Sequence, residues 1–166
     1  RFETWLAAPI LVGPSISDAG LEPETGADRA LMAAARGRTM PVIGLETMEQ
    51  QLGYFDGLPE EDQRALLKAV VEDDGNVKQQ FNELVTAWSR GDVTALEKLA
   101  DDELKASPHL RDVLLTARNH RWADWLVKRL DTPGTVFVAV GAGHLAGEDS
   151  VQNMLKSRKM KVERVQ

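Results

Sequence analysis

The sequence predicts an α/β fold, rich in helices with three short strands, and three observations carry that expectation. Residues 136–140, Val-Phe-Val-Ala-Val, form a continuous apolar run of the kind a strand buried on both faces requires. Residues 40–45, Met-Pro-Val-Ile-Gly-Leu, are apolar, too short for a helix and carry Pro41 near their start, which reads as another strand. Elsewhere apolar residues recur at helical spacing over segments of ten residues or more.

Taken in order, the opening segment has turn chemistry every few residues, at Pro9, Gly13, Pro14 and Pro23, with residues 5–12 read as one short helix or strand. From Ala27 the run Asp-Arg-Ala-Leu-Met-Ala-Ala-Ala-Arg is a strong helix former, with Asp28 near its positive end and Gly37 placed just past its C-cap. After the strand at 40–45, Thr47-Met-Glu-Gln50 matches a capping box and sets Glu46 at a strand-to-helix junction. A helix from Pro59 carries Glu60, Glu61 and Asp62 in its first turn, with Leu66, Leu67, Val70 and Val71 inside and Gly75 after its end. Val77, Phe81, Leu84, Val85 and Trp88 continue at helical spacing to Gly91, and Asp92 caps a further helix carrying Leu96 and Leu99. Residues 108–130 read as one long helix whose Leu114, Leu115, Trp122, Trp125 and Leu126 share a broad arc with Arg118. The buried strand at 136–140, a helix over 148–158 and a half-exposed strand at 161–165 complete the chain, which reads as a single domain over 1–166.

Composition narrows the function classes. A balance of 26 acidic against 20 basic side chains, net charge −6, argues against a nucleic-acid partner, because phosphate binding needs clustered Lys and Arg. Cysteine is absent, so no disulfide, thiolate metal site or catalytic thiol exists, and a metal must be held by His and carboxylates. No apolar run of membrane-spanning length occurs. The start at Arg1, with neither an initiator Met nor a leader core, reads as a piece cut from a longer protein.

The turn Gly141-Ala-Gly-His144-Leu-Ala-Gly147 follows the 136–140 run directly, where glycines let the backbone bend and a ligand approach. His144 there fits a metal ligand or a general base, since imidazole titrates near neutrality; capping the next helix or bonding a carbonyl is the plainer reading. The same turn satisfies a loose dinucleotide fingerprint, Gly141-x-Gly143-x-x-Ala146, with Glu163 about twenty residues on, although such a motif normally opens several βα units. Glu46, at a strand end, is available to a cleft or serves only as an N-terminal helix charge. Arg118 beside Asn119 in a Leu and Trp arc calls for a carboxylate or substrate anion, unless it joins Arg111 and Arg129 in a solvated stripe. His109 and His120 read as surface or structural residues, and the acidic runs at 59–62 and 72–74 as solvated helix ends.

Four blocks, Gly44-Leu-Glu-Thr-Met-Glu-Gln-Gln-Leu52 with Phe55-Asp-Gly-Leu-Pro59, Trp88-x-x-Gly-Asp92, Arg118-Asn-x-x-Trp122, and Val138-Ala-Val-Gly-Ala-Gly-His-Leu-Ala-Gly147, together resemble the TraB/GumN family in their order and spacing. The resemblance implies an α/β domain with a small central mixed sheet flanked by helices, related to the Tiki metallopeptidases and to the ChaN and erythromycin-esterase proteins. It implies a site of two Gly-x-x-His motifs with a glutamate and an Arg or Asn. Here Gly141-Ala-Gly-His144 matches the second motif, Glu46 the glutamate, and Arg118 with Asn119 the remaining pair; the first motif would belong to an N-terminal β-hairpin that this sequence lacks. The resemblance thus implies a divalent metal held by His144 and Glu46, with Glu46, Arg118 and Asn119 in catalytic roles toward a peptide or small-molecule substrate. The same cleft serving as a haem or small-ligand binding module is the alternative, and the periplasm or cell surface is the compartment implied. A catalytic metal needs about three protein ligands, which exceeds what His144 and Glu46 supply, so this piece alone is expected to be inactive.

Overall fold

Helices and turns are the only regular elements among the residues that the computed structural model describes, which are 3–18, 20, 22–72, 77–104 and 107–165; no strand forms within them. The expected α/β fold with a central mixed sheet is therefore overturned. The three segments read as strands lie outside every element, and each exposes an apolar side chain, Ile43 at 70%, Phe137 at 73% and Val165 at 94%, while Val136, Val138 and Val140 are half-buried. No main-chain hydrogen bond joins residues 136–140 to another described residue. An apolar run states a preference for extended backbone, but a strand exists only when a neighbour pairs its donors and acceptors, and that neighbour is a property of the whole fold.

Contacts divide the chain into two compact units, Arg1–Lys78 and Gln79–Gln166. The first holds α1 (Thr4–Asp18), a 3₁₀ turn (Pro23–Thr25), α2 (Ala27–Gly37), α3 (Met48–Asp56) and α4 (Glu60–Glu72). The ambiguous opening segment is thus helix, despite Pro9 and Pro14 each removing one donor from it. It holds because α1 packs on α4 and its first turn is satisfied from there. The Trp5 main-chain N–H donates to Gln63 Oε1 at 3.0 Å, Gln63 Nε2 donates to the Leu58 carbonyl at 2.9 Å, and Trp5 Nε1 donates to Asp56 Oδ1 at 3.2 Å. Trp5 also stacks on Phe55 with centroids 5.9 Å apart. Gln63 is buried, and so is Asp62, which corrects the reading of its run as a solvated helix end; Glu60 and Glu61 are exposed as expected. Asp73, Asp74 and Gly75 lie outside the described residues.

Two sequence signals in this unit take the expected form. The capping box closes in both directions, with Gln50 N–H donating to Thr47 Oγ1 at 3.2 Å and Thr47 N–H donating to Gln50 Oε1 at 2.8 Å. Helix α2 spans the expected residues, but the left-handed residue that stops it is Thr39 rather than Gly37.

The second unit takes in most of α5 (Val77–Arg90), then α6 (Val93–Leu104), α7 (Pro108–Arg111), a π-helical turn (Asp112–Thr116), α8 (Ala117–Leu130), a 3₁₀ turn (Ala142–Leu145) and α9 (Val151–Ser157). Gly91, at φ +62°, ends α5, and Asp92 Oδ1 accepts from Ala95 N–H at 3.0 Å to cap α6, as expected. Leu84 and Ala87 turn inward whereas Trp88 is exposed, so the buried face of α5 is narrower than its apolar spacing suggested. The expected single helix over 108–130 is interrupted by the π turn, where Ala117 N–H reaches back five residues to the Asp112 carbonyl. Helix α9 packs on α8, and Arg158 clamps its end by donating from Nε and Nη2 to Asp124 Oδ1 at 3.0 and 2.7 Å. No helix among the described residues is long and apolar enough to cross a membrane.

Replacing Gln63 by Ala leaves the Trp5 N–H and the Leu58 carbonyl without their partner, and a loss of about 1–3 kcal/mol is expected in urea unfolding. A variant as stable as the parent would show that α1 does not depend on Gln63. The Glu49 carboxyl is held below the usual carboxylate range by its own backbone N–H and then by the Thr47 hydroxyl. A depressed folded value means that this contribution is present at neutral pH and is lost as pH falls through that value. Carboxyl titration by NMR should therefore show Glu49 ionising below its unfolded-chain value, and Thr47→Val should move the midpoint upward.

Candidate functional site

The second unit builds its site around the glycine-rich turn. Ala142 and Ala146 fasten the turn from below: Ala146 is buried with Ala87 and Leu96, and Ala142 packs against that cluster. The turn closes with His144 N–H donating to the Gly141 carbonyl at 2.9 Å. Its far side is held from α9, where Gln152 Nε2 donates to the Leu145 carbonyl and Asn153 Nδ2 to the Gly147 carbonyl, the latter at 3.0 Å. Gly147 needs its glycine, since φ is +79°, whereas Gly143 does not, because a Cβ there would rest 3.7 Å from the Ala100 Cβ in ordinary contact. The dinucleotide fingerprint is consequently out of context: no strand precedes it among the described residues, and α9 begins only at Val151.

His144 stands half-buried on this turn, with its ring 4.4 Å from that of Trp122 and its Nδ1 2.6 Å from Asn119 Oδ1. Asn119 has no exposed surface, and its Nδ2 donates to the Asp149 main-chain carbonyl at 2.8 Å. The Asp149 carboxylate is in turn met by Thr116 Oγ1 at 3.2 Å and Arg111 Nε at 3.6 Å. Arg118 lies with its guanidinium carbon 5.0 Å from the Trp122 centroid and donates from Nη1 to the Leu114 carbonyl, at 3.0 Å, within the π turn. Its cost in an apolar arc is thus offset partly by a ring face and a carbonyl.

Of the residues singled out in the sequence, the structure therefore brings His144, Asn119 and Arg118 together around Trp122. Glu46 belongs to the first unit, where it is half-buried and accepts from Tyr54 OH at 3.1 Å. His109 and His120 are exposed, in keeping with surface roles. Two members of the cluster carried no functional expectation. Trp122 had a signal, since four residues from Arg118 and three from Asn119 place it on their helix face. Asp149 had none, because it acts through its main-chain oxygen. A catalytic metal uses about three protein ligands, and no group of three or more His, Asp or Glu side chains converges among the described residues.

A sequence profile described as the TraB/PrgY/gumN family matches residues 1–164. The chain is 32% identical over 157 residues to the uncharacterized protein YbaP of Escherichia coli K12, covering 92% of this chain and 56% of that protein, with the same figures for YbaP of Shigella flexneri. It is 24% identical over 172 residues to an uncharacterized protein of Treponema pallidum, covering 96% of this chain and 51% of that one. The chain thus spans about half the length of the curated relatives it matches. No solved structure matches.

Gly147→Ala is expected to destabilise the chain by about 1–2 kcal/mol, the cost of a left-handed backbone for a residue with a Cβ, while moving the Glu97 carboxylate that a Cβ would meet at 2.7 Å. Gly143→Ala should lie within about 0.5 kcal/mol of the parent, as uncrowded substitutions do. Equal losses in urea unfolding would mean that the turn needs both glycines.

Proposed function

Because the chain belongs to the TraB/PrgY/gumN family, we propose that it works as part of a hydrolase, with peptide bonds as the favoured substrate and His144 as its reactive imidazole. One observation carries the reading. His144 is gripped on one side by Asn119 and flanked by Trp122, on a turn anchored by Ala142 and Ala146, so its ring is presented from a rigid support. A half-buried imidazole so held suits a general base, taking a proton from the water or hydroxyl that attacks a carbonyl and returning it to the leaving group. Arg118, over the ring beside His144, supplies positive charge for an anionic group of the substrate or the oxygen that becomes negative during attack. The family resemblance also points to a divalent metal, with His144 and Glu46 as its candidate ligands, and no step here is routed through one. Glu46, held by Tyr54, enters as a second acid–base group to be tested on its own.

The test is peptidase activity of the full-length protein beside His144→Ala and Glu46→Ala. Loss of a general base lowers kcat/KM by about 10²–10⁴-fold, and His144→Ala should fall in that range. Undiminished activity in both variants would remove the reading.

A further inference from the structure

The hydrogen bonds around Asn119 decide which nitrogen of His144 carries its proton. A main-chain carbonyl can only accept, so the end of the Asn119 amide facing the Asp149 oxygen at 2.8 Å must be the nitrogen. The opposite end, 2.6 Å from His144 Nδ1, is then Oδ1, which also only accepts. A bond between them requires N–H on Nδ1, and in the neutral ring the lone pair consequently resides on Nε2. The amide orientation thus follows from the network itself. We infer that Asn119 is a positioning residue that sets the tautomer of His144, presenting Nε2 as the atom that accepts a proton from, or donates its lone pair to, the reacting partner.

This assignment differs from a direct role of Asn119 toward substrate. The side chain has no exposed surface, and both of its ends are engaged inside the second unit. It acts through the ring it holds. Its own orientation begins further back, because the carboxylate of Asp149 is held by Thr116 on the π turn and by Arg111 just before it. One line of contacts therefore runs from the π turn through Asp149 and Asn119 to the imidazole.

The inference deepens the functional reading and rests on it for what Nε2 does, but the tautomer itself rests on the hydrogen bonds alone. It is tested on the full-length protein labelled with ¹⁵N-histidine, kept metal-free by chelation and at a pH where the ring is neutral. Long-range ¹H–¹⁵N correlations distinguish a protonated from a lone-pair ring nitrogen, and the His144 signals are assigned by their loss in His144→Gln. Nδ1 is expected to be protonated and Nε2 to show the lone-pair shift. In Asn119→Leu, which keeps the branched shape without an acceptor, the pattern should move toward the Nε2–H form that an unconstrained histidine side chain favours. Nε2–H in the parent protein would overturn the inference, as would an unchanged pattern in Asn119→Leu. The parent spectrum decides even where that variant does not fold. Full hydrolysis by His144→Ala, with Nδ1–H found in the parent protein, would remove the functional reading and support the positioning role, whereas an active parent protein carrying Nε2–H would overturn the positioning role alone.

Discussion

Asn119 is a primary amide with no contact to water, and such a group must find a donor for its oxygen and an acceptor for its nitrogen within the protein. Each unmatched end would cost about 1–3 kcal/mol. Satisfying both ends at once leaves little freedom: helix α8 carries the amide, the loop before α9 supplies the carbonyl, and the glycine-rich turn supplies the imidazole. These three elements share one geometry or lose part of it together. The turn is consequently fixed without the strand that the sequence had suggested in front of it. Its other supports, Ala142 and Ala146 below and Gln152 and Asn153 beside it, add packing and carbonyl partners to a position that the amide already defines.

Around that fixed imidazole the chemistry is graded. Trp122 lies against one side of it, and Arg118 lies over the same indole and so brings a positive charge to the cluster. The family connection supplies the expectation of hydrolysis, and the curated relatives that carry the family are themselves uncharacterized. What the structure contributes is the relation between residues: which nitrogen of His144 faces Asn119, and which carbonyl orients Asn119.

Local rules were legible in the sequence. The reciprocal bonds of Thr47 and Gln50, the cap from Asp92 and the left-handed Gly91 all follow from side chains acting within four residues of their own position, and the structure shows each of them. What depends on distant partners was not legible. The runs at 40–45, 136–140 and 161–165 have strand composition, yet pairing requires neighbours that composition does not specify. Asp62 was placed in solvent because it is acidic and near a helix start, yet it is buried on α4, the helix on which α1 packs. Thr39 took the left-handed role expected of Gly37 because the backbone reversal falls two residues later. The site divides the same way: His144, Asn119 and Arg118 were recognisable by type and block spacing, while the participation of the Asp149 carbonyl could not be read from any side chain.

The π turn at Asp112–Thr116 gives this cluster an unusual dependence on chain length. Such a turn accommodates one more residue than an α-helix over the same hydrogen-bonded ring, and one residue on a helix corresponds to about 100° of rotation. A deletion within it that restored regular α-helix would preserve composition, charge and most of the packing surface of α8. It would nevertheless turn Arg118, Asn119 and Trp122 as a group relative to α7. A single-residue deletion in this chain would therefore re-aim the cluster by altering spacing, with every one of its side chains retained.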